Sequence, residues 1–77
     1  MIEDLQAIFR EILDRDDLTI DERTVPAELP GWDSFAHVNS LFAIEERFGV
    51  QFSTREFAQI RTVGDLADLL QRKGVAA

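Results

Sequence analysis

Apolar residues recur every three or four positions at the start of the chain: Ile2, Leu5, Ile8, Phe9, Ile12 and Leu13. Glu3, Asp4, Gln6, Arg10 and Glu11 fall on the other side. That spacing predicts an amphipathic helix from Met1 to about Asp14. The period then stops. "DRDDLTIDERTVPAELPGW" holds both prolines and no sustained repeat, so it reads as a long loop. Loops of this length are uncommon in compact domains, and Leu18, Ile20, Val25, Leu29 and Trp32 are expected to pin it across the core.

A second helix is predicted from Asp33 or Ser34 to about Phe48. Both residues are favoured helix caps. Val38, Leu41, Phe42, Ala43, Ile44 and Phe48 supply more apolar surface than one stripe needs, which predicts a central helix. Gly49 stands where a helix end favours a left-handed residue, and Val50 and Phe52 alternate with Gln51 in a short extended link. "STRE" at Ser53–Glu56 fits a capping box and opens a short helix through Phe57 to near Ile60. "TVGD" at Thr62–Asp65 repeats the device, and the last helix turns Val63, Leu66, Ala67, Leu69 and Leu70 inward, closing at Arg72, Lys73 and Gly74. No strand pattern, repeat or low-complexity tract is present. The expected fold is all-α: one domain over residues 1–77, a small four-helix bundle with a long loop between its first two helices.

Seventy-seven residues bury only about 60% of the unfolded surface, so few apolar positions are spare. The chain is 45% hydrophobic and 30% charged, a balance that argues against disorder. It has no cysteine, so disulfides and thiolate metal sites are excluded. No stretch approaches the ~20 apolar residues of a membrane span, and the acidic N-terminus is unlike a signal peptide. A cytoplasmic monomer is expected. The net charge of −7 disfavours nucleic acid and anionic lipid and favours basic protein surfaces.

The stretch "PGWDSFAHV", residues 30–38, holds the candidate chemistry. A serine nucleophile needs a base, an orienting group and oxyanion donors. The single histidine, His37, lies three residues on, no cleft is expected in so small a bundle, and the strand-turn-helix elbow of serine hydrolases is absent. A calcium loop needs oxygen ligands at alternate positions, a central glycine and a closing glutamate. Counted from Asp14, the fifth, sixth and twelfth positions are Leu18, Thr19 and Val25, so the acidic loop reads as a solvated one. Two readings of Ser34 remain. It or Asp33 caps the helix, or its exposed hydroxyl is esterified by a phosphate group, which the free N–H groups and dipole of a helix start would favour. On local physics the cap stands ahead, because caps are common.

The residues that follow change that balance. Asp33-Ser34-Phe35, Glu45-Glu46-Arg47-Phe48, Phe52, the capping box Ser53–Glu56 and Thr62-Val63-Gly64-Asp65-Leu66 come in an order and spacing that resemble the acyl carrier protein family. The likeness is close over residues 30–70; the first helix and loop agree in kind. It implies a non-catalytic carrier with 4′-phosphopantetheine attached at Ser34 by a separate phosphopantetheinyl transferase, the arm's thiol carrying acyl groups as thioesters. It gives Asp33 a part in positioning magnesium-bound coenzyme A. It makes the second helix a recognition surface, with Phe35, Val38 and Phe42 as apolar contacts and Glu45 and Glu46 as acidic ones, for acyl- or aminoacyl-loading ligases, ketosynthases and other acyl-processing enzymes with basic docking surfaces. The remaining helices and the loop would enclose a cavity for the acyl chain.

Two departures qualify the likeness. Phe35 replaces the usual leucine, and Ala36, His37, Asn39 and Ser40 stand where housekeeping fatty-acid carriers often have acids. With Trp32 before Asp33, this is more similar to discrete carriers of polyketide or other specialised metabolism. Aminoacyl (D-alanyl-type) and housekeeping fatty-acid carriers are the alternatives, as is, from another class, an acidic helical adaptor without a prosthetic group. His37 is expected to be a solvent-exposed helix residue and Trp32 a loop anchor.

Overall fold

The computed structural model describes residues 1–75. Four α-helices run in chain order: α1 Ile2–Leu13, α2 Ser34–Phe48, α3 Thr54–Ala58 and α4 Val63–Arg72. A 3-10 turn, Pro26–Glu28, interrupts the long loop; proline at its first position supplies a pre-set φ and lacks only an N–H the turn would not use. No strand occurs among the described residues. Among the described residues no helix is long and apolar enough to cross a membrane.

The helix ends follow local chemistry. α1 stops where Asp14 takes a left-handed conformation (φ 53°) and its N–H donates to the carbonyls of Arg10 and Glu11. Aspartate tolerates that region better than most non-glycine residues. Gly49 (φ 66°) closes α2 in the expected way. Both capping boxes form: Ser53 with Glu56, and Thr62 with Asp65. Backbone N–H donation from Ser53 to Glu56, helped by the Lys73 ammonium 3.0 Å away, holds that carboxyl below the ordinary range. The N–H groups of Thr62 and Arg61 do the same for Asp65.

The core is Leu5 and Phe9 from α1, Ile20 from the loop, Ile44 from α2, and Val63, Leu66 and Leu70 from α4. The five residues expected to face inward from α4 are its buried residues. α2 differs from the central helix its apolar count predicted, while the outward face of Phe35, Val38 and Phe42 agrees with the surface position the resemblance gave them. It buries only Ala36, Ser40 and Ile44, while Phe35, Val38 and Phe42 point out at 74%, 46% and 61% exposure. The helix is therefore not buried on several sides; its surplus apolar surface faces solvent.

The loop is held by more than its apolar residues. Ile20 is buried, and Leu18 and Trp32 pack against the core cluster. Polar groups add the rest: the Ile20 N–H donates to Gln6 Oε1 at 3.0 Å and Arg10 Nε to the Leu18 carbonyl at 2.6 Å. The first N–H groups of α4 donate back to the loop, Val63 to Thr24 O at 2.8 Å and Gly64 to Glu22 O at 2.9 Å. The unsatisfied donors of a helix start thus become the fastening for the loop that carries the chain to α2.

Candidate functional site at the start of α2

A tight turn delivers the chain to this site. The Trp32 N–H donates to the Leu29 carbonyl at 3.1 Å, and Gly31 takes φ 86°, a value glycine adopts without the clash a side chain would bring. Asp33 follows in extended conformation (φ −141°) and is the N-cap of α2: its Oδ1 accepts from the Ala36 N–H at 2.8 Å. Its carbonyl accepts from the His37 N–H at 3.0 Å, closing the first turn. The choice between Asp33 and Ser34 as cap is thereby resolved.

Ser34 is the first residue of α2. It is exposed, and among the described residues its hydroxyl has no hydrogen-bond partner. Because Asp33 satisfies the helix start, Ser34 Oγ is free for chemistry without unpicking the fold. The other serines differ: Ser40 is buried and donates to the His37 carbonyl at 2.8 Å, and Ser53 is engaged in its capping box. The helix start favours negative charge beside Ser34, and residues 34–44 carry no acidic side chain to oppose it.

The expected partner contacts fall into two groups. Phe35, Val38 and Phe42 occupy one exposed face at helical spacing, and Glu46 is exposed one turn beyond Phe42. Glu45 is half-buried and turned toward the chain itself, its Oε2 accepting from the Phe52 N–H at 2.8 Å. That bond ties the link after α2 back onto the helix, a structural role the sequence pattern did not signal.

A cleft of about 280 Å³ opens next to the site; the helical pattern alone gave no sign of one, whereas the resemblance implied a cavity among the helices and loop. Val25 and Pro26 of the loop, Trp32, His37, Phe57 and Ile60 line it. It exists because the loop and the five-residue α3 converge there without a long helix to close the gap. Trp32 anchors the loop as expected, its ring edge-on to Phe9 at 5.6 Å. Its other side borders the cleft. His37 is exposed but not isolated: its ring lies 4.5 Å from that of Phe57 and 6.2 Å from that of Trp32. Among the described residues no cluster of three His, Cys, Asp or Glu side chains could hold a metal ion.

Residues 3–70 match the family model described as "phosphopantetheine attachment site", which extends the likeness upstream across α1 and the loop. The chain is 38% identical over 76 residues to acyl carrier protein MbtL of Mycobacterium sp. (strain MCS), covering 92% of this chain and 84% of that one. The solution structure of holo acyl carrier protein from Geobacter metallireducens superposes with a TM-score of 0.84 at 32% identity, over 94% of this chain and 83% of that one. The match over nearly all of α1 to α4, the shared fold and the free serine at the start of α2 lead to one conclusion: the chain belongs to the acyl carrier proteins of the phosphopantetheine-attachment family, non-catalytic carriers that work through a 4′-phosphopantetheine group.

Proposed function

We propose that Ser34 is the residue that carries 4′-phosphopantetheine, and that the 77-residue chain acts as one carrier domain. The observation that carries this reading is the division of labour at the helix start. Asp33 caps α2, and the exposed Ser34 hydroxyl is left without a structural duty. In the loading step Ser34 Oγ bonds to the phosphorus bearing the pantetheine. The pyrophosphate bond of coenzyme A breaks, adenosine 3′,5′-bisphosphate leaves, and the hydroxyl proton passes to a base of the transferase or to solvent. A phosphodiester on Ser34 would lie at the start of α2, where the helix dipole favours negative charge. Asp33 keeps one carboxylate oxygen on Ala36 N, and its carboxylate would help position magnesium-bound coenzyme A when the transferase docks. When bound, the arm supplies the thiol on which acyl groups travel as thioesters.

The exposed face of Phe35, Val38 and Phe42 is the docking surface in this reading, with Glu46 as its charged edge and Glu45 contributing from its half-buried position. Exchangeable partners suit such a patch, since short-lived complexes use small interfaces. The uncharged stretch 34–44 and Trp32 support service in polyketide or other specialised metabolism in the cytoplasm. Incubation with coenzyme A, magnesium and a promiscuous phosphopantetheinyl transferase adds about 340 Da, a phosphoryl-linked increment. Ser34→Ala gains nothing. A Ser34→Ala chain that gains the same mass would refute the assignment.

A further inference from the structure

Ser34 stands on α2 between two unlike neighbours. At about 100° per residue, Phe35, Val38 and Phe42 fall about 40–100° to one side of it, and His37 about 60° to the other. His37 is also one turn on, where helical side chains are neighbours. Helical side chains lean toward the N-terminus over the preceding turn, which carries the imidazole back toward Ser34. Its ring lies 6.2 Å from that of Trp32, a residue that precedes the helix, in keeping with that lean. Phe57 holds the ring from another side at 4.5 Å. These contacts use ring faces and edges; among the described residues neither ring nitrogen has a hydrogen-bond partner.

The charge pattern singles out the same side chain. In a chain of net charge −7, residues 34–44 hold one titratable group near neutral pH, and it is basic. Of the residues that line the cleft with His37, those from the loop, α3 and α4 are uncharged. Arg61, in the link between α3 and α4, is the charged one. On its own helix Asp33 is the nearest carboxylate in sequence, and its Oδ1 is engaged with the Ala36 N–H. Among the described residues no carboxylate forms an ion pair with the imidazole. A donor is thus held one turn from Ser34 with no anion of the chain's own to satisfy it.

We propose that His37 is a positioning residue for the phosphodiester on Ser34: its imidazole donates to a phosphate oxygen and draws the root of the arm away from the face of Phe35, Val38 and Phe42. The proposal rests on Ser34 as the attachment point. A phosphodiester stays anionic across the range in which histidine changes charge, about pH 5 to 8. The pairing is strongest with the imidazole protonated, because a charged donor makes the stronger hydrogen bond. The apolar face is then left clear for a partner. Loss of the proton loosens the root of the arm without disturbing the fold.

The test is clean because the chain has one histidine and the arm brings one phosphorus atom. The full chain is titrated by NMR before and after loading from coenzyme A, with attachment at Ser34 confirmed by fragment mass. Loading is expected to raise the His37 titration midpoint by about half a unit, roughly threefold in proton affinity, as one negative charge a helical turn away would do. The phosphorus resonance of the loaded chain is expected to move with the same midpoint. In His37→Gln it stays flat over that range, and in Phe42→Ser, on the other side of Ser34, it still moves. Circular dichroism checks that each variant keeps its helical content; should His37→Gln fail to fold, the two titrations of the parent chain decide alone. Equal midpoints before and after loading, or a phosphorus signal indifferent to pH, overturn the proposal while leaving Ser34 in place. So does a phosphorus signal that still titrates in His37→Gln. A chain that accepts no arm on Ser34 overturns the attachment reading and this one with it.

Discussion

Asp33 and Ser34 are adjacent and both are good caps, yet the backbone gives them different duties. The extended conformation at position 33 puts that carboxylate over the Ala36 N–H, and position 34 is already helical, with its side chain outside the cap geometry. Asp33→Ala is expected to lower unfolding stability by about 1 kcal/mol in urea titration, with Asp33→Asn recovering most of it. Ser34→Ala, which removes no native hydrogen bond, is expected to stay within about 0.5 kcal/mol. The two changes thus separate stability from modification. Pattern reading could place a cap at this pair but not choose between its members, because the choice depends on φ and ψ at each residue. His37 is a similar case: its helical position was legible, its contact with Phe57 was not, since that contact joins elements that no local period relates.

The elements were more legible than the residues. α4 declared its buried face through its spacing, and both capping boxes were readable because each is a local exchange between residues three apart. Glu56 and Asp65 hold more hydrogen bonds as carboxylates in the fold than in the unfolded chain, so their folded pKa values lie below the unfolded ones. The stability they contribute is complete above the ordinary carboxylate range and is lost as pH falls through the lowered values. Thermal melts of Glu56→Gln with Asp65→Asn should therefore depend less on pH below that range than melts of the parent chain. An unchanged slope would mean that these carboxylates add nothing. The fastening of the loop to α4 was not legible, because carbonyls accepting from a helix start leave no side-chain signature. Gly64 marks the spot: a Cβ there would stand 3.0 Å from the Glu22 carbonyl oxygen. Gly64→Ala should destabilise the chain by about 1–3 kcal/mol despite alanine's better helix propensity, read as a lower urea midpoint at unchanged m.

At the scale of the whole molecule, charge and apolar surface are segregated. The net charge is −7, yet residues 34–44, which include the exposed Phe35, Val38 and Phe42, carry no charged side chain. The surplus of apolar residues in α2 was visible in the sequence and read as a sign of burial; hydrophobic count cannot distinguish a core helix from one that presents an interface. Only the placement of α1 against the opposite side of α2 separates the two. Phe42→Ser should leave stability within about 0.5 kcal/mol while raising the KM of the transferase for the carrier with kcat nearly unchanged, since it touches docking and not the reacting hydroxyl. The cleft lies on the flank of that face, so the exposed apolar patch and the cleft occupy neighbouring surfaces around Ser34. The proposed function depends on the arm being attached where α2 begins. Fragment-ion mass spectrometry of the transferase-treated chain is the direct test: attachment at the start of α2 puts the whole increment on Ser34, with none on Ser40 or Ser53. An increment found on any other residue would contradict it.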